Sequence, residues 1–314
     1  MSSIHSSPIR LIGLLALLLA AASLYGPADV SARPLVPAPG MFIGVGSHHL
    51  HLNCTGDGGP TVILESGLGG NSLDWSRVQP LVARHSRVCS YDRAGYGWSD
   101  AAREPRTARQ IASELHRLLV YGSVPPPYIL VGHSFGGLVV RLFASQHPEE
   151  TAGIVLVDSS HEEQFERFEA AGIKTPLLPT GGRFYIFNHS QVPEGLPETV
   201  RPVAQELALR SSAVLSLYSE LRLMRRSTRQ VRASRPLPEV PVVVITRNSD
   251  DDEHFTEAGR VSALWLKMQV ELASRSRLGV LIMADTNDHY VHLRQPRLVA
   301  GIIRSLVERH RARR

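Results

Sequence analysis

Ser134 stands in Gly132-His133-Ser134-Phe135-Gly136, between the apolar run Tyr128-Ile129-Leu130-Val131 and the pattern Leu138-Val139-Val140-Arg141-Leu142-Phe143. A serine hydroxyl attacks a carbonyl carbon only when a base can take its proton. A buried strand that turns abruptly into a helix is the context that presents such a serine clear of a sheet, as a nucleophile elbow. The flanking glycines suit that turn, because its backbone is strained and leaves no room for side chains two positions either side. The first N–H groups of the following helix would lie close to the hydroxyl, where the helix dipole favours developing negative charge.

A base and an orienting carboxylate occur further along the chain. Asp288-His289-Tyr290 follows the short apolar run Gly279-Val280-Leu281-Ile282-Met283-Ala284 and precedes Gln295-Pro296 and the helical pattern Leu298-Val299-Ile302-Ile303-Leu306-Val307. His289 is therefore read in a loop leaving a strand. Among fourteen histidines the nearest competitor is His292, which is drawn towards the following helix. For the acid, the β-branched run Pro241-Val242-Val243-Val244-Ile245-Thr246 ends in a cluster containing Asp250, Asp251, Asp252 and Glu253. Asp250 is chosen as the group that orients the imidazole and stabilises its cation, with Asp251 next. Asp158, at the end of Gly153-Ile154-Val155-Leu156-Val157, is a second kind of candidate, read in the first instance as a loop-capping carboxylate. Donors for an oxyanion are sought in Ser66-Gly67-Leu68-Gly69-Gly70-Asn71, the glycine-rich loop after the strand at 61–65. There the N–H of Leu68 can approach the same point as the N–H of Phe135. Removal of one such donor typically raises the barrier by about 3 kcal/mol.

Four stretches together carry a resemblance. They are Glu65-Ser66-Gly67-Leu68-Gly69-Gly70, Tyr91-Asp92-Arg93-Ala94-Gly95-Tyr96-Gly97-Trp98-Ser99, Gly132-His133-Ser134-Phe135-Gly136-Gly137, and Asp288-His289-Tyr290 running on to Pro296. With them, and with the order serine, aspartate, histidine along the chain, the sequence resembles the α/β-hydrolase fold superfamily, in its single-domain esterase-like branch. The oxyanion loop reads Ser-Gly where many relatives have His-Gly, and Asp288 precedes His289 where many have glycine. Members with an aspartate at the elbow are dehalogenases or epoxide hydrolases, and Ser134 argues against both. The resemblance implies an acyl-serine mechanism on a small-molecule ester or related acyl substrate, with no metal or organic cofactor. Two other readings stay open: an acyltransferase using the same three side chains, and a catalytically silent binding protein on the same fold.

The elements that must position these residues read as an α/β architecture. Strand-like runs at 50–52, 61–65, 87–91, 128–131, 153–157, 242–246 and 280–283 alternate with amphipathic segments such as Ala108-Ile111-Ala112-Leu115-Leu118-Leu119 and Val261-Leu264-Trp265-Met268-Leu272. The alternation predicts a mostly parallel, doubly wound sheet of about eight strands with helices on both faces. Asp92 and Arg93 are read as a structural ion pair. Residues 159–240 lack β-branched runs and carry helical patterns, which predicts a helical cap inserted after the sixth strand; 33–158 and 241–314 then form the core. Such a cap would exclude water and shape the pocket. Its arginines Arg222, Arg225, Arg226, Arg229, Arg232 and Arg235 make a basic stretch, read as a solvated helix face with attraction to an anionic substrate or membrane surface as the alternative.

Length permits one domain with its cap. The net charge of +5 is modest, part of it in the basic terminus that ends Arg311-Ala312-Arg313-Arg314, and nothing resembles a nucleic-acid module. Residues 1–32 read as a secretory signal: Arg10 precedes an apolar core from Leu11 to Ala22, and Val30-Ser31-Ala32 offers a cleavage point. The expectation is an exported protein, secreted, periplasmic or in the cell envelope, with an uncleaved N-terminal membrane anchor as the alternative. Export permits disulfides, and in the fold that the resemblance implies, the strands of the two cysteines, Cys54 and Cys89, are neighbours or nearly so. A bridge and two buried thiols remain equal readings.

Overall fold

The structure is a computed structural model that describes residues 36–173, 192–248 and 257–313. Within the unit Pro34–Arg314, its strands are β1 Met41–Gly44, β2 His49–Thr55, β3 Thr61–Glu65, β4 Val88–Tyr91, β5 Tyr128–His133, β6 Thr151–Val157, β7 Val242–Thr246 and β8 Gly279–Met283. They form one sheet in the order β1-β2-β4-β3-β5-β6-β7-β8. β1 pairs with β2, and β2 with β4, antiparallel; every pairing from β4 through β3, β5, β6 and β7 to β8 is parallel.

Side chains alternate across the sheet with the strand period of two and feed two cores. Ile63, Leu130, Ile154, Leu156, Val242 and Val244 face one core; Val62, Leu64, Ile129, Val131, Val155, Val157, Val243 and Ile245 face the other. Both faces of the central strands are thus apolar, which is why these segments read as unbroken hydrophobic runs. The helices on either side are α1 Gln79–Val82, α2 Ala108–Tyr121, α3 Gly136–Gln146, α4 Gln164–Ala170, α5 Arg201–Ala208, α6 Ser211–Arg232, α7 Glu257–Ser274, α8 Val291–Arg294 and α9 Pro296–Arg311. Helix α2 starts where the Thr107 hydroxyl accepts a hydrogen bond from Gln110 N, and it buries Ile111, Leu115 and Leu118 in the first core. Helix α9 starts at Pro296 and buries Val299, Ile303 and Leu306 in the second.

Three helices, α4 to α6, lie between β6 and β7 among the described residues. The longest is anchored to the core. Met224 and Val231 of α6 belong to the first core, Ser227 Oγ accepts from Ala108 N at 3.0 Å, and Gln230 Oε1 accepts from Arg109 N at 3.1 Å. Strand β1 is absent from the runs read in the sequence, because Met-Phe-Ile-Gly is short and largely exposed and is held only by pairing with β2. Cys54 and Cys89 stand opposite each other in the β2–β4 register and form a disulfide. Residues 1–32, with the signal and anchor readings, lie outside the described residues; no described helix is long and apolar enough to cross a membrane.

Asp92 and Arg93 do not pair with each other. Asp92 binds His51 Nδ1 at 2.8 Å and accepts from Ser72 N and Trp98 N, whereas Arg93 binds Glu65 and Glu220. Adjacent residues leaving a strand point to opposite sides, so each finds its own partner.

Candidate active site

Ser134 occupies the first position after β5 with φ +50°, a left-handed conformation that costs a non-glycine residue energy and persists only where its surroundings impose it. Those surroundings are explicit. Ser134 N donates to Val157 O at 3.1 Å, and Ser134 O accepts from Gly137 N and Ser160 N, each at 3.0 Å. The turn also needs Gly136, where a Cβ would lie 2.6 Å from Ser66 O and 2.7 Å from Glu65 O. Phe135 caps α3 and is fully buried, while Ser134 itself is half-buried.

His289 sits in the loop between β8 and α8, and its Nδ1 lies 2.6 Å from Asp158 Oδ2. The carboxylate is wholly buried while the imidazole is 36 % exposed. Asp250, the residue assigned this place from sequence, lies outside the described residues; the carboxylate on His289 is that of Asp158, directly after β6. Asp158 has φ +42° and donates its N–H to Ile245 O at 2.7 Å. Its Oδ1 accepts from Trp265 Nε1 at 2.8 Å and Thr246 Oγ1 at 3.1 Å, and Oδ2 also pairs with Arg247 Nη1. Burial pushes this carboxyl up, but the bond and charge of His289, the charge of Arg247 and the bond from Trp265 outweigh it and hold the group below the ordinary carboxylate range.

Arg247 Nη1 also lies 3.3 Å from His289 Nδ1. That nitrogen cannot donate to a carboxylate and accept from a guanidinium at once, and the 2.6 Å contact decides for Nδ1–H towards Asp158. With Nδ1–H turned to Asp158, Nε2 is the ring nitrogen of the neutral imidazole that can accept a proton. Sequence reasoning gave neither Arg247 nor Trp265 a place in the site; Trp265 was read only as part of a helical pattern. Asp158 carried a readable signal, a lone aspartate ending an apolar strand, which the four carboxylates after β7 outweighed.

The exit of β3 brings the glycine-rich loop at 66–71 to the elbow. Gly67 packs on it so closely that a Cβ there would be 2.6 Å from His133 Nδ1 and 3.3 Å from Ser134 Cβ. Leu68, next in the loop, packs against Tyr96 and against Ala213, Leu217 and Leu221 of α6. Beneath the loop, Arg93 Nη1 donates to Glu65 Oε1 at 2.7 Å and to Ser66 O at 2.8 Å, and Nη2 donates to Gly67 O at 2.7 Å. Burial raises the Glu65 carboxyl despite the opposing charge of Arg93 and the bond from Tyr91.

Two further histidines surround the site. His133 Nε2 donates to His289 O at 3.1 Å, and its ring lies 4.6 Å from that of His289. Burial, then the neighbouring His292, His289 and Arg247, hold its pKa well below the ordinary histidine value, so it stays neutral. His292 is fully buried, its ring lies tilted against that of Trp75 with centroids 4.5 Å apart, and its ring nitrogens have no hydrogen-bond partner among the described residues. Among the described residues the one group of side chains with metal-ligand spacing is His116, His147 and Glu150, at the other end of α3 from Ser134. There the two imidazoles stack 3.7 Å apart and nearly parallel, so their in-plane lone pairs do not converge on one ion.

A family model described as alpha/beta hydrolase fold matches residues 60–311, and the chain belongs to that family. An AB hydrolase superfamily protein from Gibberella zeae is 26 % identical over 289 residues, covering 79 % of this chain and 86 % of that one. Two other curated relatives match over less, and the chain spans only 19 % and 41 % of their lengths. Among solved structures, the enol-lactonase from Burkholderia xenovorans LB400 superposes with a TM-score of 0.63 at 18 % identity, over 85 % of this chain and 100 % of that one. A thermophilic esterase from Thermogutta terrifontis gives 0.61 at 18 % identity over 87 % and 99 %. These likenesses establish the fold.

Proposed function

We propose that the protein is a serine hydrolase, in the first instance a carboxylesterase, that cleaves an ester or related acyl bond through an acyl-serine intermediate. Ser134 is the nucleophile, His289 the general base and then acid, and Asp158 the group that orients the imidazole. The reading is carried by the contact of Asp158 Oδ2 with His289 Nδ1 at 2.6 Å, beside an elbow serine at φ +50°. Support also comes from the two structural neighbours, one named an enol-lactonase and one an esterase.

In this mechanism the Ser134 hydroxyl adds to the substrate carbonyl as its proton passes to His289 Nε2, and the N–H groups of Leu68 and Phe135 receive the oxyanion. Collapse expels the alcohol, which takes the proton from Nε2 and leaves an acyl-serine. Water then adds with His289 again as base, releasing the acid and restoring the serine. Asp158 stays ionised throughout and stabilises the imidazolium. The segment between β6 and β7 serves as a cap that walls the acyl or alcohol pocket, a role supported by the packing of α6 on Leu68.

Export is part of the same proposal. It rests on the apolar run from Leu11 to Ala22 and accords with the Cys54–Cys89 disulfide. An anionic membrane surface would meet Arg222, Arg226 and Arg229 on the exposed side of α6, since Arg225 and Arg232 are paired with Glu169 and Glu166.

Purified protein is expected to hydrolyse short-chain nitrophenyl esters and to be labelled at Ser134 by a fluorophosphonate, with both activities lost in Ser134→Ala. Failure of the wild-type protein in both assays overturns the hydrolase reading.

A further inference from the structure

We infer that Glu220, a residue of α6 remote in sequence from every other member of the site, is a positioning residue that aims the oxyanion donor of Leu68 by acting through Arg93. The inference rests on the proposed hydrolase reading. All five N–H bonds of the Arg93 guanidinium are used. Nε donates to Glu220 Oε1 at 2.8 Å, Nη1 to Glu65 Oε1 and Ser66 O, and Nη2 to Gly67 O at 2.7 Å and Glu220 Oε2 at 3.2 Å. Arg93, Glu65 and Glu220 are buried, and the Tyr96 hydroxyl completes the shell by donating to Glu220 Oε2 at 2.9 Å.

The bond to Gly67 O is the informative one. That carbonyl belongs to the peptide unit whose N–H is the N–H of Leu68. A trans peptide is planar with its C=O and N–H pointing opposite ways, so a hand on the carbonyl fixes the direction of the amide. Arg93 thus holds the back of the group whose front is assigned to the oxyanion, and Ser66 O is held alongside. Arg93 in turn is placed between two carboxylates. Glu65 is on the same strand exit as the loop and moves with it. Glu220 comes from α6, which is tied independently to α2 and α3 through Met224, Val231 and Ser227. The Leu68 side chain packs on the same helix, beside Leu217 and Leu221. Both ends of the Leu68 residue, its amide through Arg93 and its side chain directly, therefore refer to α6. Without Glu220 the guanidinium keeps Glu65 as counter-ion but loses its outer anchor, and can swing with the loop.

The test compares Glu220→Gln and Glu220→Ala with wild-type protein, using an activated nitrophenyl ester and a trifluoromethyl ketone that forms a serine hemiketal oxyanion. Glu169→Gln, which removes an exposed ion pair to Arg225 elsewhere in the same segment, is the control. Misplacing a donor by about 1 Å costs about 10²-fold. Glu220→Ala is expected to lower kcat by about that factor with KM nearly unchanged, and to weaken the ketone by the same factor. Glu220→Gln, which still accepts from Nε, is expected to fall between, and Glu169→Gln to match wild type. If Glu220→Ala does not fold, Glu220→Gln carries the comparison. Folded variants with wild-type kcat and ketone affinity overturn the positioning role while leaving the hydrolase reading intact. A loss confined to melting temperature or KM also overturns it. Absence of turnover in the wild type removes the hydrolase reading itself, and this inference with it.

Discussion

Asp158 is held by more donors than an imidazole alone requires. Trp265, Thr246 and Arg247 all bind it, so its direction is set before His289 arrives, and its place between β5 and β7 puts it beside the elbow. In Asp158→Asn the side chain can offer an N–H to Nδ1 and select the wrong tautomer, so kcat is expected to fall by about 10⁴-fold. Asp250→Asn is expected to stay within a few-fold of wild type. Steady-state kinetics on one ester distinguish the two, and the reverse pattern would return the role to the loop after β7. At this scale the turn that holds Ser134 and the strand-exit loop that holds His289 were legible because the reason for each is local. The contact of Asp158 with His289 was not, because it depends on which strand lies next to β5, and strand order is not written in any short stretch of chain. Arg93 shows the same limit. Its partner 127 residues away is an ordinary glutamate in an ordinary amphipathic helix.

At the level of elements, periodicity carried most of the information. Runs apolar on both faces became β3 to β7, and positions three and four apart became α2 and α7. Strand β1 escaped because exposed residues held by one neighbour leave no hydrophobic pattern. The join between β2 and β4 is where covalent chemistry adds to pairing: β2 is antiparallel to the parallel strands and shares fewer buried residues than they do. The disulfide closes a loop of sequence separation 35, which in the chain-entropy description contributes about 2–4 kcal/mol. A Cys54→Ser, Cys89→Ser double variant is expected to lose that much in denaturant unfolding while retaining ester turnover, since neither residue adjoins Ser134. An unchanged midpoint would show that pairing alone secures the edge.

For the molecule as a whole, buried titratable groups set opposing pH dependences. His292 is pushed down to about 3, chiefly by burial and then by the charge of His289. The unfolded chain takes up a proton below about 6.5 that the folded chain refuses until about 3, so stability falls as pH drops through that window. Asp74 behaves in the other sense. Burial raises it from 3.8 to about 7, so the folded state keeps a proton that the unfolded state has released, and this contribution is lost as pH rises from about 4 to 7. Each is on the order of 4 kcal/mol over its range. His292→Phe, which keeps an aromatic ring against Trp75, is expected to move the acid unfolding midpoint to lower pH. Asp74→Asn is expected to flatten the decline between pH 4 and 7, and melting curves across pH check both. Such couplings were illegible in the sequence, where fourteen histidines look alike and only enclosure distinguishes them.

The saturation of the Arg93 guanidinium bears on how interchangeable the region between β6 and β7 is. A foreign segment grafted there would deliver its own pocket walls, yet unless it brought an acidic side chain to the spot now filled by Glu220, it would leave the buried guanidinium with Glu65 as its counter-ion and two of its N–H groups without their acceptors. Diversification of substrate range by swapping this module is therefore constrained at one position, and recombinants should recover full turnover only when that acid is restored.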